Sequence, residues 1–272
     1  MDRRLTTGAA LDDPRLAPYR QLGAPETLTA QGLFVVEGRM VVRRLVDDGR
    51  WRLQSLLVTP AAAAGLADVL PRVPADVPVF VVDQAAMNAI AGFHIHRGCL
   101  GLAYRPPRRV LSAEDVGTWR RLLVLERVTN PDNVGGLFRN AAAFGVDAVV
   151  LGPRCGDPLY RKAVRTSMGA SLIVPFVDAG PWPIALTRLV TAGVRVLALT
   201  PASDATPLAG LAPRDGPVAV LVGDEGEGLS SEALAAATDR VRVPMTARID
   251  SLNVATAAAI ALYHIAIGGE DR

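Results

Sequence analysis

The chain has 272 residues, half of them hydrophobic and 21% charged, with a formal net charge of +2. This composition supports a sizeable core and excludes wholesale disorder, and the near balance of charge excludes a polybasic tail but not a local basic groove. No 18-residue stretch is free of polar residues, Met1-Asp2-Arg3-Arg4-Leu5 lacks the apolar run of a signal peptide, and Cys99 and Cys155 form no CxxC pair. The expectation is a reduced cytoplasmic protein with no membrane span and no structural metal.

In chain order, residues 1–30 are polar and broken by Pro14, Pro18 and Pro25, which reads as a loose arm or a short helix laid on the domain. Phe34-Val35-Val36 reads as a strand, Glu37-Gly38 as a turn, and Met40 to Asp48 as a helix with Val41, Val42, Leu45 and Val46 inward. Leu53 to Val58 and Val77 to Val82 read as strands around an alanine-rich helix from Ala61 to Leu70, and Asp83 caps a helix through Ile90. A compact α/β domain thus ends near residue 105. Arg105-Pro106-Pro107-Arg108-Arg109 opens a stiff basic link over 106–118, and a second domain spans 119–272.

In that second domain Leu122 to Glu126, Asp147 to Leu151, Leu172 to Val177, Arg195 to Thr200 and Val218 to Gly223 read as strands. Helices over Leu137 to Phe144, Pro158 to Met168 and Pro183 to Ala192 alternate with them, which implies a mostly parallel sheet covered on both faces. Val241 to Met245 reads as a last strand end, stopped by Pro244. Asp250 and Ser251 are possible caps of the apolar helix that follows to Ile267, which is expected to be buried. A polar loop feeding a buried helix is either a capped core element or a ligand site in which the ligand satisfies loop backbone groups.

Three stretches carry candidate chemistry. Gly223-Asp224-Glu225-Gly226-Glu227-Gly228 ends a strand, where α/β folds bind ligands, but its GxxGxG spacing and three acids disfavour a pyrophosphate and a nicotinamide dinucleotide. Asn130-Pro131-Asp132-Asn133 precedes Gly135-Gly136, taken as a helix opening, with Arg139 one turn in; a cation there opposes the macrodipole and suggests function. His94-Ile95-His96 puts two imidazoles on one side of an extended chain, without the further ligands a metal needs.

Asn130 to Ala141, Leu221 to Gly228, and Val243-Pro244-Met245 with Ser251-Leu252-Asn253-Val254 resemble, in order, the three motifs of the SpoU (TrmH) family of RNA ribose 2′-O-methyltransferases in the SPOUT superfamily. Phe34 to Gly38 and Phe93 to Gly98 are similar to that family's smaller N-terminal RNA-binding domain. Ala247 and Ala255 depart from the usual glycine and serine. The resemblance implies an α/β domain with a C-terminal trefoil knot, a homodimer, and S-adenosylmethionine bound near Leu199, Thr200, Gly223, Val243, Met245 and Leu252. It further implies catalysis by Arg139 with Asn133, Glu225, Ser251 and Asn253, acting on RNA, ribosomal rather than transfer RNA. Arg39, Arg43, Arg97, Arg105, Arg108 and Arg165 are the expected RNA contacts, with Arg44 and Arg109 adding charge. A non-catalytic RNA-binding protein on the same fold is the alternative.

Overall fold

The structure is a computed structural model that describes residues 5–7, 12–211, 215–246 and 249–267. Arg3, Arg4 and Ala247 lie outside the described residues. The chain forms two units, one of Met1–Pro107 with Leu159–Ile173 and one of Arg108–Pro158 with Val174–Arg272.

The first unit is built on five strands: β1 (Leu5–Thr7), β2 (Leu33–Glu37), β3 (Leu53–Val58), β4 (Val79–Val81) and β5 (Cys99–Tyr104). They lie in the order β1-β4-β3-β5-β2. β4 runs parallel to β1 and β3, whereas β5 is antiparallel to β2 and β3. The sequence reading lacks β5, because Gly101 interrupts its apolar pattern and glycine weakens a strand interior. The glycine is there for space: a Cβ at Gly101 would lie 3.0 Å from both Leu56 Cδ2 and Val36 Cγ2 on the neighbouring strands.

Residues 14–21 form a 3-10 helix that buries Leu16 and Tyr19 completely, and the Tyr19 hydroxyl meets Ser55 Oγ at 3.0 Å. Of the two readings of this segment, the short helix is therefore correct for residues 14–21. The alanine-rich helix covers only Pro60–Ala64; Thr59 caps its start and Gly65 forms its C-cap. Arg39–Asp48 and Gln84–Ala91 are helical, the latter capped by Asp83 as expected.

Leu159–Ile173 joins this unit through polar bonds. Arg161 donates to the buried Glu37 carboxylate at 2.6 Å, and Arg44 donates to the Met168 carbonyl at 2.8 Å. Trp51 Nε1 and Arg50 donate to the Leu172 carbonyl at 2.9 and 3.0 Å. These donors satisfy carbonyls at the end of the short helix Ala170–Ile173. The expected strand over Leu172 to Val177 is thus corrected: its first residues are helical, and pairing begins only at Phe176.

The second unit holds β6 (Arg121–Leu125), β7 (Ala148–Leu151), β8 (Phe176–Asp178), β9 (Arg195–Leu199), β10 (Thr206–Pro207), β11 (Val218–Val222) and β12 (Asp239–Arg242). They form one parallel sheet in the order β10-β12-β9-β11-β6-β7-β8. Leu122–Leu125, β7 and Ala219–Val222 are buried throughout, as strands covered on both faces must be. The stretch read as a linker includes a helix, Ala113–Thr118, closed by a reciprocal capping box between Ser112 and Asp115.

The helix after β6 starts at Pro131, not at Leu137. Asn130 is its N-cap, accepting from the Asp132 amide at 2.9 Å, and Pro131 suits the first turn. Gly135 and Gly136 are therefore interior, and Arg139 lies in the C-terminal half of Pro131–Ala143, so the macrodipole argument for it fails. Gly136 has a packing reason instead: a Cβ there would sit 2.9 Å from Ala255 Cβ on the facing C-terminal helix, Val254–Ile267.

Gly101→Val should lower the unfolding free energy by about 1–3 kcal/mol through overpacking between β2 and β3. Urea denaturation measures this, and an unchanged midpoint would show that the flanking side chains yield freely.

Candidate active site

The C-terminal ends of β9, β11 and β12 carry the loops that enclose a cavity of about 560 Å³. That size falls in the range of roughly 300–1,000 Å³ typical of small-molecule sites, and strand ends are where parallel sheets bind ligands. Leu199, Thr200, Gly223, Val243, Met245 and Leu252 all line the cavity, as do Glu225 and Ser251. Asn133, Arg139 and Asn253 do not line it.

The Gly223–Gly228 loop folds back tightly on itself. A Cβ at Gly223 would lie 2.5 Å from the Gly228 carbonyl, so only glycine fits. Asp224 accepts from the Gly226 amide at 2.9 Å and the Glu227 amide at 3.3 Å. Those two backbone bonds hold its carboxyl below the usual carboxylate range. The loop therefore brings fixed negative charge to the cavity wall.

Asn253 joins the three motifs. Its Nδ2 donates to Asn133 Oδ1 at 2.8 Å and to Glu225 Oε1 at 2.6 Å. Its Oδ1 accepts from the Ala255 and Thr256 amides at 3.0 and 3.2 Å. Asn253, and neither Asp250 nor Ser251, is thus the cap of Val254–Ile267. That helix is also less buried than expected: Val254, Ala258, Ala261 and Leu262 are buried, whereas Ile260 and Tyr263 are exposed. Asn140 Nδ2 donates to the Ala255 carbonyl at 2.7 Å, so the backbone at Ala255 is bonded although its side chain has no hydroxyl. The Arg139 side chain is exposed and has no hydrogen-bond or ion-pair partner among the described residues.

Two neighbouring residues escaped the sequence reading. Glu126 is 2% exposed and accepts from the Ser230 amide at 2.8 Å, the Ser230 hydroxyl at 2.6 Å and Trp182 Nε1 at 2.9 Å. Arg127 adopts a positive φ of 57° and reaches the loop, bonding the Gly228 carbonyl at 2.9 Å and Glu227 at 3.0 Å. Arg127 Nε is a buried polar atom without a partner among the described residues. The available signal was a Glu-Arg pair closing the apolar run Leu122–Leu125, at the end where α/β sheets hold ligands.

The arginines expected to meet RNA fall in two groups. Arg39, Arg97 and Arg165 are exposed, and their side chains have no polar partner among the described residues. The others are engaged internally. Arg43 pairs with Asp68, Arg108 with Asp178 at 2.8 Å and Arg109 with Asp115 at 2.8 Å, while Arg105 donates to the Leu33 carbonyl at 3.0 Å.

Residues 120–263 match the profile of the SpoU rRNA methylase family. The chain belongs to that family. An uncharacterized tRNA/rRNA methyltransferase of Mycobacterium tuberculosis is 43% identical over 258 residues, covering 93% of this chain and 88% of the relative. The 23S rRNA (guanosine(2553)-2′-O)-methyltransferase RlmP of Bacillus subtilis is 29% identical over 92% of this chain and 95% of its own. The AdoMet-bound rRNA methyltransferase from Sinorhizobium meliloti shares the fold with a TM-score of 0.79 at 24% identity, over 96% of this chain and 97% of that one. The SpoU match spans a segment, Leu159–Ile173, that belongs to the first unit of this structure.

Asn253→Ala should destabilise the chain by about 1 kcal/mol through loss of the helix cap. Asn253→Asp keeps the cap acceptor but sets a carboxylate against Glu225, and it should recover only part of the loss. Chemical denaturation of both variants checks this; equal stability of Asn253→Ala and the native chain would show that the cap is not needed.

Proposed function

We propose that the chain transfers the methyl group of S-adenosylmethionine to a ribose 2′-hydroxyl of RNA, ribosomal RNA being the expected substrate. The carrying observation is the Asn133–Asn253–Glu225 junction beside a cavity lined by the motif residues, in a member of the SpoU rRNA methylase family. The donor set fits the cofactor. Leu199, Thr200, Gly223, Val243, Met245 and Leu252 line the space its adenosine part would take, and Asp224, Glu225 and Glu227 complement a cation. S-adenosylmethionine supplies an electrophilic methyl on a sulfonium that departs as a neutral thioether.

The residues of the chain then have separable tasks. Backbone of the three loops fixes the donor, and alignment with the ribose oxygen is the main contribution, worth on the order of 7 kcal/mol or more in good cases. Arg139, exposed and without an internal partner, holds the phosphate beside the target ribose and stabilises the developing alkoxide. A guanidinium is a poor base, which favours this electrostatic role, and the hydroxyl proton is lost to solvent water as the methyl is transferred. Asn133, Glu225 and Asn253 keep the loops in register, and Ser251 contributes from the cavity wall. Arg39, Arg97 and Arg165 provide open positive charge for phosphates, a contact that positions RNA without reading its sequence.

After β12, beyond β9 in the sheet, the chain returns to pack Val254–Ile267 against β11 and Pro131–Ala143. This doubling back supports the trefoil knot expected of the family. Exposed Ile260 and Tyr263 on the same helix, with Ile249 just before it, support a homodimer formed through that surface. An RNA substrate supports a cytoplasmic location; among the described residues no helix is long and apolar enough to cross a membrane.

Arg139→Ala should reduce methyl transfer on the order of a hundredfold or more while S-adenosylmethionine binds with nearly native affinity. Calorimetric titration of the cofactor beside a turnover assay separates the two, and near-native turnover would refute the assigned role. Light scattering at micromolar concentration should show a dimer that Ile260→Asp dissociates. A native monomer would remove the proposed interface.

A further inference from the structure

His94 and His96 have no part in the chemistry above, yet the structure holds them in a defined arrangement. Ile95 between them is completely buried; its amide donates to Asn88 Oδ1 at 2.9 Å and its carbonyl accepts from Gln84 Nε2 at 2.8 Å. Gln84 and Asn88 are themselves joined at 2.9 Å along Gln84–Ala91, so the loop is anchored to a regular helix. Pinned at Ile95, the chain turns both imidazoles outward. They pack edge to face with centroids 4.4 Å apart and an interplanar angle of 61°, and both are exposed.

Neither imidazole takes part in a hydrogen bond among the described residues, so the fold gains no polar bond from them. No group of three His, Cys, Asp or Glu able to hold a metal occurs among the described residues. The surroundings carry positive charge in place of further metal ligands. Arg97 follows directly, exposed, with its stem laid on Gly38: a Cβ there would sit 2.9 Å from Arg97 Cδ. On the other side, Phe93 is covered by the Arg161 guanidinium at 4.5 Å, and Arg161 is fixed by the buried Glu37.

We propose that the His94–His96 pair is a stacking platform for an unpaired base of the RNA substrate, with Arg97 taking an adjoining phosphate. The inference rests on the RNA-methylating reading and adds where the first unit grips its substrate. An exposed ring pair on an anchored loop offers a π face at small ordering cost, and base–aromatic stacking beside a guanidinium is how proteins hold single-stranded nucleotides. Such a contact selects a looped or bulged target over a continuous duplex, whose bases are already stacked.

The test uses the full chain, radiolabelled S-adenosylmethionine and unmodified 23S rRNA transcribed in vitro. His94→Ala with His96→Ala should raise KM for the RNA about tenfold. The turnover at saturating RNA and the cofactor affinity should stay native. His94→Phe with His96→Phe keeps stacking without the imidazole nitrogens and should restore most of the lost affinity. An unchanged KM in the alanine variant overturns the platform while leaving the enzymatic reading intact. A loss that phenylalanine does not repair also overturns stacking. Should the native chain transfer no methyl to 23S rRNA or to tRNA, the RNA-methylating reading itself fails, and the platform with it.

Discussion

One carboxamide holds together segments that the chain keeps far apart. Asn253 donates twice, to Asn133 and to Glu225, and accepts twice from the first amides of the C-terminal helix. An amide side chain has two donor hydrogens and two acceptor lone pairs, so its capacity is fully used. Aspartate has acceptors but no donors, and glutamine, one methylene longer, cannot cap and bridge from the same backbone position. The acidic loop at the cavity wall is therefore tied to two helices, Pro131–Ala143 and Val254–Ile267, by a residue that does not itself line the cavity.

A second layer of support comes from the strand that ends at Leu125. Glu126 takes three hydrogen bonds from Ser230 and Trp182, while Arg127 grips Gly228 and Glu227. Consecutive residues thus hold the end of the acidic loop and the chain just after it. An arginine in the left-handed region carries a conformational cost that glycine would avoid. The guanidinium compensates by fixing a loop whose three carboxylates would otherwise repel one another.

Much of this was legible in residues. The runs at Leu122, Ala148 and Val218 gave the central strands because strands buried on both faces must be continuously apolar. The three motifs, read as a family resemblance, led to the loops that surround the cavity. What failed had local causes. Gly135-Gly136 looked like a helix start, since sequence does not distinguish a glycine that opens a helix from one that admits a neighbouring helix. Gly101 hid an interior strand in a similar way, by making room for Leu56 and Val36 of the neighbouring strands. Leu172-Ile173 looked like strand, and only the distant donors Arg50 and Trp51 explain why it is not. The Asn133–Asn253–Glu225 junction lay beyond any local pattern because its partners are separated by 120 and 28 positions.

The placement of Leu159–Ile173 has a consequence for how such proteins can be recombined. The chain passes between its two units at Pro107–Arg108, at Pro158–Leu159 and again at Ile173–Val174. A module joined by a single tether can be exchanged between relatives by one crossover in the gene. This one cannot: a graft of the N-terminal unit must carry two separate pieces of sequence, and the second lies inside the stretch that defines the methylase family. Cutting the chain near Thr118 leaves Met168, Leu172 and Ile173 without the arginines and tryptophan that bond their carbonyls. The two pieces of the first unit are therefore constrained to diverge together, with substitutions at Arg44, Arg50 and Trp51 answerable to a segment encoded more than a hundred codons downstream.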